Sequence, residues 1–573
     1  MIEIEVDNRP VKANEGETIL DVCRREGIYV PTLCYIEGLP PSGACRMCVV
    51  ELEGMPNLIP SCSYPVAPGM KVRTRTPTVL RARRTIVELL LSNHPDDCLY
   101  CARGGKCELQ RLAEDLDIRH RRLPGERVKR EKDVSSPAIL RDPDKCVLCG
   151  KCVRVCEEVQ GVAAIDFIGR GSRAFIGTAF DGGLNVSSCV NCGQCILVCP
   201  TGALTEHSYL DDVIAALGDP TKTVVAQHAP AVSVSLAEEC GLPPGSDVDS
   251  KMVAALRRVG FDRVFDTAFA ADVTIMEEAS ELVHRIRTNG VLPMTTSCSP
   301  GWIKFVEQFY PDFMPNVSSC KSPQQMLGAL IKSFWAKREN LDPAGIVSVS
   351  IMPCTAKKFE CTRNEMSNGY VPDVDYVLTT RELGQLLRMH GVNLEAMPPE
   401  NPDTPFGERT SAGKIFGASG GVMEAAIRTA HFFLTGREIG ELKIQALRGM
   451  KGCKELSAKI DSLTVNAVVV SGLGNARKIL DAVRAGRKDL HFIEVMTCPG
   501  GCINGGGQPL HSNPEALRAR MQALYQIDQN AAVRVSHKNE WVQRLYDEFL
   551  GEPLSEKSHH LLHTHYSLRE VLV

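Results

Sequence analysis

The stretch GIVSVSIMPC (residues 345–354) is an apolar run that ends in a turn carrying a cysteine. DLHFIEVMTC (489–498) repeats this pattern, while TKTVVAQHAPAV (221–232) and TVNAVVVSGLG (464–474) are apolar runs followed by Pro or Gly. Such runs are typical of buried parallel strands, and amphipathic segments lie between them. Alternating strands and helices predict an α/β domain with parallel sheets over residues 210–515. Its ligands are expected at the carboxyl ends of the strands.

The composition is that of a large protein of ordinary polarity with many cysteines. The chain has 573 residues, 44% of them hydrophobic and 23% charged, and a net charge of −4. This length predicts about four domains, and the small net charge gives no indication of nucleic-acid binding. No segment approaches the ~18 apolar residues of a membrane span, and MIEIEVDNRP (1–10) is typical of a strand rather than a signal peptide. We therefore expect a cytoplasmic protein, and the ligand-type spacing of most of its 24 cysteines predicts metal sites rather than disulfides.

Four cysteines near the N-terminus have the spacing C-x10-C-x2-C-x13-C: Cys34, Cys45, Cys48 and Cys62. The flanking segments alternate as strands do, and ETILDVCRREG (17–27) predicts a helix between them with Cys23 on its apolar face. Four such ligands could hold zinc or an iron–sulfur cluster. The long first gap resembles the 2Fe-2S domain at the head of the large iron–sulfur subunit of NADH dehydrogenases. This resemblance implies a β-grasp 2Fe-2S domain over residues 1–78.

The next ligand set combines one histidine with three cysteines in NHPDDCLYCARGGKC (93–107). Its members are His94, Cys98, Cys101 and Cys107. On spacing alone, zinc and a 4Fe-4S cluster both fit this set. Because it follows the 2Fe-2S segment, the tandem resembles the domain of the same NADH dehydrogenase subunit, and of long hydrogenases, that holds a 4Fe-4S cluster by one histidine and three cysteines. We therefore expect a 4Fe-4S domain over residues 79–136.

Two later runs, CVLCGKCVRVC (146–156) and CVNCGQCILVCP (189–200), share the pattern C-x2-C-x2-C-x3-C. This is the run of bacterial two-cluster ferredoxins, in which the fourth cysteine of each run binds the other cluster. One 4Fe-4S cluster is therefore predicted to use Cys146, Cys149, Cys152 and Cys199. The other is predicted to use Cys156, Cys189, Cys192 and Cys195. The runs predict a ferredoxin-like domain over residues 137–209 with a hairpin inserted between them, and four clusters in series that move single electrons.

Three more cysteine segments lie far apart in the α/β half: TTSCSPGW (295–302), IMPCTAKKFE (351–360) and VMTCPGGCINGGGQP (495–509). Each places cysteine beside Gly, Pro or Ser, the residues of turns, so the three can converge on one iron–sulfur site. Together with the four upstream ligand sets, they resemble the signature segments of iron-only (FeFe) hydrogenases over essentially the whole chain. The resemblance implies an H-cluster, a 4Fe-4S cubane joined through a cysteine sulfur to a di-iron unit with CO, cyanide and azadithiolate.

Residue by residue, the resemblance assigns most of the H-cluster site. Cys354, Cys498 and Cys502 match cubane ligands, and Cys502 matches the sulfur that bridges to the di-iron unit. Lys357 is expected to donate a hydrogen bond to a cyanide ligand, because a buried lysine without a partner is costly. Four further residues match contacts to the cofactor: Pro230, Gln324, Met352 and Met496.

The resemblance also implies a route for protons between this site and water. Glu278 and Glu281 in TIMEEASELVHR (274–285) have helical spacing and apolar neighbours. Carboxylates enclosed by apolar groups have raised pKa values and exchange protons near neutral pH. With Ser318 and Arg285 they match members of the family's proton path, and the alternative is a solvated acidic helix face.

The first of the three segments departs from the family at one position. Most members have two adjacent cysteines there, a proton-path thiol and then the fourth cubane ligand, whereas this chain has Cys298 followed by Ser299. In one alternative, Ser299 takes the ligand position, although a hydroxyl ionises far less readily than a thiol of pKa about 8.5. In the other, Cys298 binds iron, and the serine hydroxyl or a water carries protons. Cys320, which is near this site by family analogy, could also substitute.

The implied function is a hydrogenase that reversibly interconverts H2 with protons and electrons. Because the chain has no G-x-G-x-x-G dinucleotide fingerprint, we expect NAD(P)H to react on a flavin-containing partner subunit of a multimeric NAD(P)-linked enzyme, either bifurcating or not. Further iron–sulfur subunits, ferredoxin and cofactor maturation proteins are the other expected partners. The alternatives are a monomeric ferredoxin-linked hydrogenase, a hydrogen sensor, an electron-transfer subunit of NADH dehydrogenase type and an iron–sulfur assembly factor. Residues 516–573 are expected to be a helical, small-subunit-like region, in which the tail histidines are spaced too irregularly for a metal site.

Overall fold

A computed structural model describes residues 1–125, 127–439, 445–446, 452–460 and 463–571. Small N-terminal domains precede a large α/β domain, and a helical region follows it. Across the described ranges, no helix combines the length and the apolar composition that crossing a membrane requires.

The first domain is a five-stranded sheet with one helix packed on it. Its elements are β1 (Ile2–Val6), β2 (Arg9–Ala13), α1 (Ile19–Arg25), β3 (Val49–Leu52), β4 (Ile59–Pro60) and β5 (Lys71–Arg73). The strand order is β2-β1-β5-β3-β4, in which β1 and β5 are parallel and the other pairs are antiparallel. Helix α1 begins at a capping box formed by Thr18 and Asp21. It buries Cys23 on its apolar face, as predicted.

Two helices and two short strand pairs build the next part of the chain. Helices α2 (Pro77–Asn93) and α3 (Glu108–Asp115) flank the loop that carries the histidine and three cysteines. The ferredoxin-like part contains β6 (Ile139–Arg141), α4 (Lys151–Arg154), β7 (Asp166–Ile168), β8 (Phe175–Gly177), α5 (Gln194–Val198) and β9 (Leu204–Glu206). Strand β6 pairs with β9, and β7 with β8 forms the predicted hairpin between the two cysteine runs.

Within the described residues, the C-terminal half contains nine strands in two sheets. They are β10 (Thr223–His228), β11 (Arg263–Asp266), β12 (Met294–Thr295), β13 (Ile346–Met352), β14 (Tyr376–Thr379), β15 (Gln445–Ala446), β16 (Cys453–Ile460), β17 (Leu463–Ser471) and β18 (Phe492–Met496). The first sheet has the order β11-β10-β13-β14 and is parallel throughout, as predicted. Apolar clusters cover both of its faces, which explains the uninterrupted apolar runs in the sequence.

The second sheet, β12-β18-β17-β16-β15, departs from the prediction of parallel strands at one edge. Strand β18 is parallel to β12 and β17, but β16 is antiparallel to both β15 and β17. Two residues separate β16 from β17, far fewer than the dozen or so that a crossover between parallel neighbours needs. The predicted fold class therefore holds in outline, with parallel strands around the site and an antiparallel edge beyond it.

Helices cover the two sheets and connect them. They are α6 (Leu210–Leu217), α7 (Pro230–Ser233), α8 (Leu236–Glu239), α9 (Asp249–Val259), α10 (Thr267–Arg287), α11 (Pro300–Phe309), α12 (Pro323–Leu330), α13 (Ala336–Arg338), α14 (Ala356–Glu360), α15 (Thr380–Met389), α16 (Ser411–Lys414), α17 (Gly421–Thr435) and α18 (Leu473–Arg484). Helix α10 is buried along most of its length and packs against α12, α16 and α17. It therefore carries Glu278 and Glu281 through the middle of the domain rather than along its surface.

The C-terminal region is helical, as predicted, and is tied to the α/β domain by polar contacts. Its helices are α19 (Pro514–Asn530), α20 (Glu540–Leu545) and α21 (Glu556–Leu562). Arg520 of α19 lies 2.6 Å from Glu238 and donates to the carbonyl of Ile503 at 2.7 Å. The backbone at the end of α21 accepts a hydrogen bond from Lys321 N–H at 2.7 Å. The tail therefore lies directly against the loop that precedes α12.

Candidate active site

A cavity of about 850 Å³ lies at the carboxyl ends of β10, β13 and β18. All four cysteines of the three late segments line it: Cys298, Cys354, Cys498 and Cys502. Cys354 and Cys498 each lie two residues beyond a strand. This is the strand end at which an α/β fold was expected to carry its ligands.

Glycines bring the last cysteine loop onto the loop of Cys354. A Cβ atom on Gly505 would lie 2.1 Å from the carbonyl oxygen of Pro353, and one on Gly501 would lie 2.6 Å from the backbone nitrogen of Ser419. Gly501 also has a φ of +97°, which residues with a side chain rarely adopt. The GGCINGGG sequence is therefore needed for the close approach that places Cys502 in the same cavity as Cys354.

The residues expected to contact the cofactor line the same cavity: Pro230, Gln324, Met352, Lys357 and Met496. Met352 and Met496 are the last residues of β13 and β18, and Pro230 begins α7 just after β10. These residues lie at or just beyond the ends of strands, and the ligand loops begin at the same ends. They therefore line the same cavity as the cysteines. The structure thus brings together every residue predicted for the cofactor itself.

Lys357 lies one helical turn before Glu360 and pairs with it. The distance between Lys357 Nζ and Glu360 Oε2 is 2.9 Å. The same carboxylate accepts hydrogen bonds from Gln324 Nε2 at 3.1 Å and from Ser322 Oγ at 2.9 Å. These contacts hold the ammonium group at the cavity wall with its charge balanced.

Cys298 and Ser299 precede α11, and both line the cavity. Ser299 Oγ lies 2.8 Å from the hydroxyl oxygen of Thr497, the residue before Cys498. Burial raises the pKa of the Cys298 thiol well above its usual value, and the Glu278 carboxylate raises it further. Cys298 therefore faces the acidic side of the cavity, whereas Ser299 is held at the strand end that carries Cys498.

Glu278 is a buried carboxylate of α10 that lacks a hydrogen-bond partner. Its side chain is 1% exposed, and neither oxygen forms a hydrogen bond within the described residues. The backbone of Ser297, the residue before Cys298, is close to it but outside hydrogen-bonding geometry. Burial raises the pKa of Glu278 to about 8, and the charge of Glu281 contributes. A carboxyl group with this pKa exchanges protons near neutral pH, and the alternative of a solvated acidic helix face is wrong.

Glu281 connects the buried end of α10 to residues nearer the surface. Its carboxylate accepts a hydrogen bond from Ser318 Oγ at 2.7 Å and lies 2.6 Å from Arg285 Nη2. Arg285 also donates to the carbonyls of Val317 and Pro315, at 2.9 and 3.1 Å. Ser318, Glu281 and Arg285 therefore form one hydrogen-bonded group, and Glu278 lies one helical turn away on α10, within electrostatic reach of Glu281 but without a hydrogen bond to it.

Two smaller cavities separate the cysteines of the two ferredoxin runs into two groups of four. The first encloses about 450 Å³ and is lined by Cys146, Cys149, Cys152 and Cys199. The second encloses about 470 Å³ and is lined by Cys156, Cys189, Cys192 and Cys195. The fourth cysteine of each run thus lines the cavity of the other run, which is the arrangement of a two-cluster ferredoxin.

The other two ligand sets lie in the N-terminal domains. In the first domain, Cys34 Sγ accepts a hydrogen bond from the backbone nitrogen of Cys45 at 3.5 Å, and Cys48 and Cys62 are buried in one apolar cluster. His94 follows α2 directly and is buried, with its Nδ1 atom lacking a hydrogen-bond partner among the described residues. Burial lowers the pKa of this imidazole, which keeps it neutral and able to bind a metal.

Close backbone contacts connect these sites in series. A Cβ atom on Gly202 would lie 2.7 Å from Cys101 Sγ, so the loop after Cys199 approaches the histidine and cysteine set. Cys192 lines both its own cavity and the large cavity. A Cβ atom on Gly506 would lie 2.3 Å from the Cys192 carbonyl oxygen. The sites therefore form a chain that ends at the large cavity.

Five family profiles match the chain in the order of these sites. Three cover the N-terminal part: 2Fe-2S iron-sulfur cluster binding domain (1–77), NADH-ubiquinone oxidoreductase-G iron-sulfur binding region (83–122) and NADH-quinone oxidoreductase subunit 3, ferredoxin-like domain (136–205). Two cover the rest: Iron only hydrogenase large subunit, C-terminal domain (222–506) and Iron hydrogenase small subunit (514–569).

A relative spans the whole chain. The NADP-reducing hydrogenase subunit HndD of Solidesulfovibrio fructosivorans is 47% identical over 584 aligned residues, which cover all of both proteins. The chain belongs to the FeFe hydrogenase family. Iron hydrogenase 1 of Clostridium pasteurianum is 37% identical over 99% of this chain and 100% of that protein. A variant of apo [FeFe]-hydrogenase HydA1 from Chlamydomonas reinhardtii has a TM-score of 0.59 at 41% identity, covering 63% of this chain and 99% of that one.

Membership of the FeFe hydrogenase family confirms the predicted enzyme class, an oxidoreductase acting on H2. It also confirms that a 2Fe-2S domain and further iron–sulfur domains precede the catalytic domain. An electron-transfer subunit of NADH dehydrogenase type is excluded, because the match to the hydrogenase large subunit covers 222–506. Cytosolic iron-sulfur assembly component 3 of Rattus norvegicus is 33% identical over 62% of this chain, so more than a third of the hydrogenase chain has no counterpart in that alignment.

Sequence reasoning missed the polar group that surrounds His563 in this hydrogenase. His563 Nδ1 lies 2.8 Å from Ser319 Oγ, and Nε2 lies 3.1 Å from Glu277. Tyr546 donates a hydrogen bond to the same carboxylate at 2.6 Å. These residues come from α10, the loop before α12 and the C-terminal tail, so their spacing in the sequence gives no signal that they meet.

Glu494 is a second residue that sequence reasoning missed. It lies on β18 two residues before Met496 and accepts hydrogen bonds from the backbone nitrogens of Gly420 and Met423, both at 2.7 Å. Burial raises its pKa to about 7 in spite of those donors. Its carboxylate caps the start of α17, which fixes that helix against the strand end at the cavity.

Proposed function

We propose that this FeFe hydrogenase reversibly interconverts H2 with protons and electrons at an H-cluster held in the large cavity. The convergence of Cys298, Cys354, Cys498 and Cys502 with Lys357 on that one cavity carries the proposal. The site fits the cofactor, because thiols are the ligands that iron–sulfur clusters take and glycines leave room for a group against the backbone. When bound, the cofactor supplies the irons and the basic nitrogen at which H2 is split.

The chain supplies three cysteine ligands for the cofactor and a set of further residues that contact it. Cys354, Cys498 and Cys502 would hold the cubane, and Cys502 would also bind the di-iron unit. Lys357, whose ammonium lies at the cavity wall, would donate to a cyanide ligand, with Glu360 fixing its position. Four other lining residues would position the di-iron unit: Pro230, Gln324, Met352 and Met496. The two methionines are apolar and polarizable, so they exclude water without offering a competing donor.

Cys298 and Ser299 stand where most of the family has a proton-path thiol followed by the fourth cubane ligand, and the contacts of the two residues agree with that order. Cys298 lies on the side of Glu278 and Lys357, both of which act on its thiol electrostatically. Ser299 lies at Thr497 beside Cys498, where a fourth cubane ligand is needed. We therefore assign the proton-transfer thiol to Cys298 and the fourth ligand position to Ser299.

Protons leave the cavity along α10. Cys298 passes a proton to Glu278, whose raised pKa of about 8 lets it hold and release that proton at neutral pH. Ser318 and Glu281 continue the route through a 2.7 Å hydrogen bond. Arg285 forms an ion pair with Glu281 and is partly exposed near the end of the helix, where the route reaches solvent.

One 2Fe-2S cluster and three accessory 4Fe-4S clusters would supply the electron path. Cys34, Cys45, Cys48 and Cys62 would hold the 2Fe-2S cluster, and His94, Cys98, Cys101 and Cys107 the first 4Fe-4S cluster. The two ferredoxin cavities would hold the other two 4Fe-4S clusters. The backbone contacts of Gly202 and Gly506 bring neighbouring sites close, which is what stepwise electron transfer requires.

The electron partner is a subunit that carries flavin and reacts with NAD(P)H. The full-length relative HndD is named a subunit of an NADP-reducing hydrogenase, and the three N-terminal profiles are of NADH dehydrogenase type or 2Fe-2S type. We propose a multimeric, bifurcating enzyme with further iron–sulfur subunits, in which ferredoxin is a second electron partner. Cofactor maturation proteins insert the di-iron unit, and the enzyme is expected in the cytoplasm.

The loop around Cys98 is the best candidate for the partner's docking site. All 24 cysteines lie in the described part of the chain, and Cys98 alone is exposed. Leu99 and Tyr100, which follow it, are 95% and 91% exposed. Exposed apolar side chains beside a cluster ligand are typical of a surface that another protein covers.

Basic residues surround this loop. Residues 119–132 contain seven Lys or Arg and two Glu. Arg121 donates to the His94 carbonyl at 2.8 Å, and Arg127 lies 2.9 Å from Asp96, so the segment lies against the ligand loop. The partner that fits this surface has an acidic face around its own redox centre.

Loading the protein with the di-iron cofactor tests the catalytic proposal. We expect H2 uptake with a small dye as electron acceptor, together with infrared bands of bound CO and cyanide. A fully loaded protein without those bands would contradict the H-cluster assignment. Bands with no turnover would instead favour a hydrogen sensor.

Purification of the untagged complex tests the partner proposal. We expect the chain to elute with flavin-containing subunits and to reduce NAD(P)+ with H2 only in their presence. A lone chain that reduces ferredoxin at its full rate would favour the monomeric alternative.

A further inference from the structure

Helix α11 touches two of the proposed metal sites at once. It begins directly after Cys298 and Ser299. A Cβ atom on Gly301 would lie 3.0 Å from the Thr497 side chain and 3.3 Å from the Val190 carbonyl oxygen. Thr497 precedes Cys498 of the large cavity, and Val190 follows Cys189 of the second ferredoxin cavity. The helix therefore has no space between itself and either ligand loop.

Lys304 lies on this contact face of α11. It follows Gly301 by three residues, which places both on one side of a helix, and its side chain is 3% exposed. Its Nζ atom lies 5.0 Å from the centre of the Phe359 ring. Among the described residues, no carboxylate lies within 4.0 Å of this ammonium group. The one acidic side chain on the same helix, Glu307, is instead paired with Arg363 and Arg569.

Cys189 and Val190 pack against the same apolar cluster as Trp302, Ile303 and Val306 of α11. Lys304 and the Cys189 thiol also act on each other electrostatically. Cys189 is therefore within electrostatic reach of Lys304 across the interface between α11 and the ligand loop.

A buried ammonium group without a counter-charge is costly. A 4Fe-4S cluster with four thiolate ligands is an anion, and its reduction adds a further negative charge. We propose that Lys304 is the counter-charge of the 4Fe-4S cluster held by Cys156, Cys189, Cys192 and Cys195, and that it raises the reduction potential of this cluster. The proposal rests on the proposed function, because it assumes that a cluster occupies this cavity.

The neighbouring ferredoxin cavity also has cations close to it. Arg141 pairs with Asp181 at 3.3 Å, whereas the buried Arg103 forms no ion pair among the described residues and acts electrostatically on Cys199. Lys304 therefore raises the potential of its own cluster without fixing which of the two clusters is easier to reduce.

Redox titration of the full chain with its accessory clusters tests this proposal. The measurement follows the electron paramagnetic resonance signals of the reduced clusters in wild type, Lys304→Met and Lys304→Arg. In Lys304→Met we expect one 4Fe-4S signal to become at least tenfold harder to reduce, a shift of about 59 mV for one electron. Lys304→Arg keeps the charge and is expected to titrate like wild type. Lys337→Met, which removes an exposed lysine, controls for net charge.

The outcomes are distinct. Unchanged potentials in Lys304→Met with all signals present would overturn the proposal, as would equal shifts in the Met and Arg variants. If Lys304→Met and Lys304→Gln both lose four iron atoms while Lys304→Arg keeps them, the charge holds the cluster and the proposal stands. If instead wild type shows no 4Fe-4S signals, the proposed function fails rather than the role of Lys304.

Discussion

At the scale of single residues, Glu278 is the group that we propose exchanges protons with the cavity. It is buried on α10, its oxygens have no hydrogen-bond partner in the described residues, and its pKa is raised to about 8 by burial and by Glu281. Ionising a buried carboxyl group without a partner is costly, so Glu278 does not stabilise the fold when it is charged.

Glu278→Gln is expected to remove a pH dependence of stability. The pKa of Glu278 is 4.5 in the unfolded chain and about 8 in the folded one, so the folded protein binds its proton more tightly. Stability contributed by this group is full below pH 4.5 and is lost as pH rises to 8, by about 1.4 kcal/mol for each pKa unit. Thermal unfolding at pH 5.5 and 8.5 checks this. The melting temperature of the variant, relative to that of wild type, should be higher at pH 8.5 than at pH 5.5.

Glu339→Gln, at an exposed position, is the matched control and should track wild type at both pH values. If the Glu278→Gln and wild-type melting curves stay parallel between pH 5.5 and 8.5, Glu278 does not have the raised pKa. In the loaded enzyme, we expect Glu278→Gln to slow H2 turnover about 100-fold, as the loss of a proton-transfer group does, without changing the infrared bands.

Substitutions at Cys298 and Ser299 separate ligation from proton transfer. We expect Cys298→Ala to keep the cubane's spectroscopic signal and to slow turnover about 100-fold, because the thiol that faces Glu278 is lost. Ser299→Ala should change the cubane signal, and Ser299→Cys should keep the cubane with four thiolate ligands. Loss of the cubane in Cys298→Ala, with a normal signal in Ser299→Ala, would show that Cys298 is the ligand.

At the scale of elements, the site depends on where strands end and on what the C-terminal helices cover. The carboxyl ends of β13 and β18 present Cys354 and Cys498, and these positions could be predicted from apolar runs that stop at turn residues. The antiparallel β16 and the contacts of α21 could not be predicted in the same way. An apolar run in the sequence has no direction, and a tail shows its docking site only after the surface it covers has formed.

His563→Gln tests how firmly the tail is docked. The imidazole bridges Ser319 and Glu277, both buried or nearly so, and an amide cannot satisfy both with the same geometry. Leaving Glu277 short of one partner should cost about 1–3 kcal/mol, visible as faster proteolysis of the tail and a lower melting temperature. His560→Gln, exposed on the same helix, should behave like wild type. Equal proteolysis rates for the two variants would contradict this role of His563.

At the scale of the whole molecule, the chain is a series of redox sites that leads from one exposed loop to one buried cavity. Cys98 lies at the outer end beside Leu99 and Tyr100, and Cys192 lines both of the last two cavities at the inner end. Such a layout separates the partner from the reacting site, so the two can be tested independently.

Charge reversal near the exposed loop should weaken binding of the partner subunit and leave the reaction with H2 unchanged. We expect Arg119→Glu with Lys129→Glu to lower the rate of electron transfer to the partner subunit by about tenfold at low salt, because steering by basic residues is lost. H2 uptake with a small neutral dye should not change. Lys337→Glu with Arg338→Glu, exposed at a distance from this loop, is the matched control. Equal effects of both pairs would mean that the partner docks elsewhere.

The sequence by itself determined the chemistry of each site. Ligand spacing within a turn is local, so the four accessory sets, the three late segments and the α/β pattern could all be predicted from short stretches. The tertiary structure decided what lies opposite those ligands. Cys298 faces Glu278, Lys304 lies within electrostatic reach of Cys189, and His563 joins Glu277. These partners lie tens to hundreds of residues apart, and only the packing of helices against two sheets brings them within interaction distance.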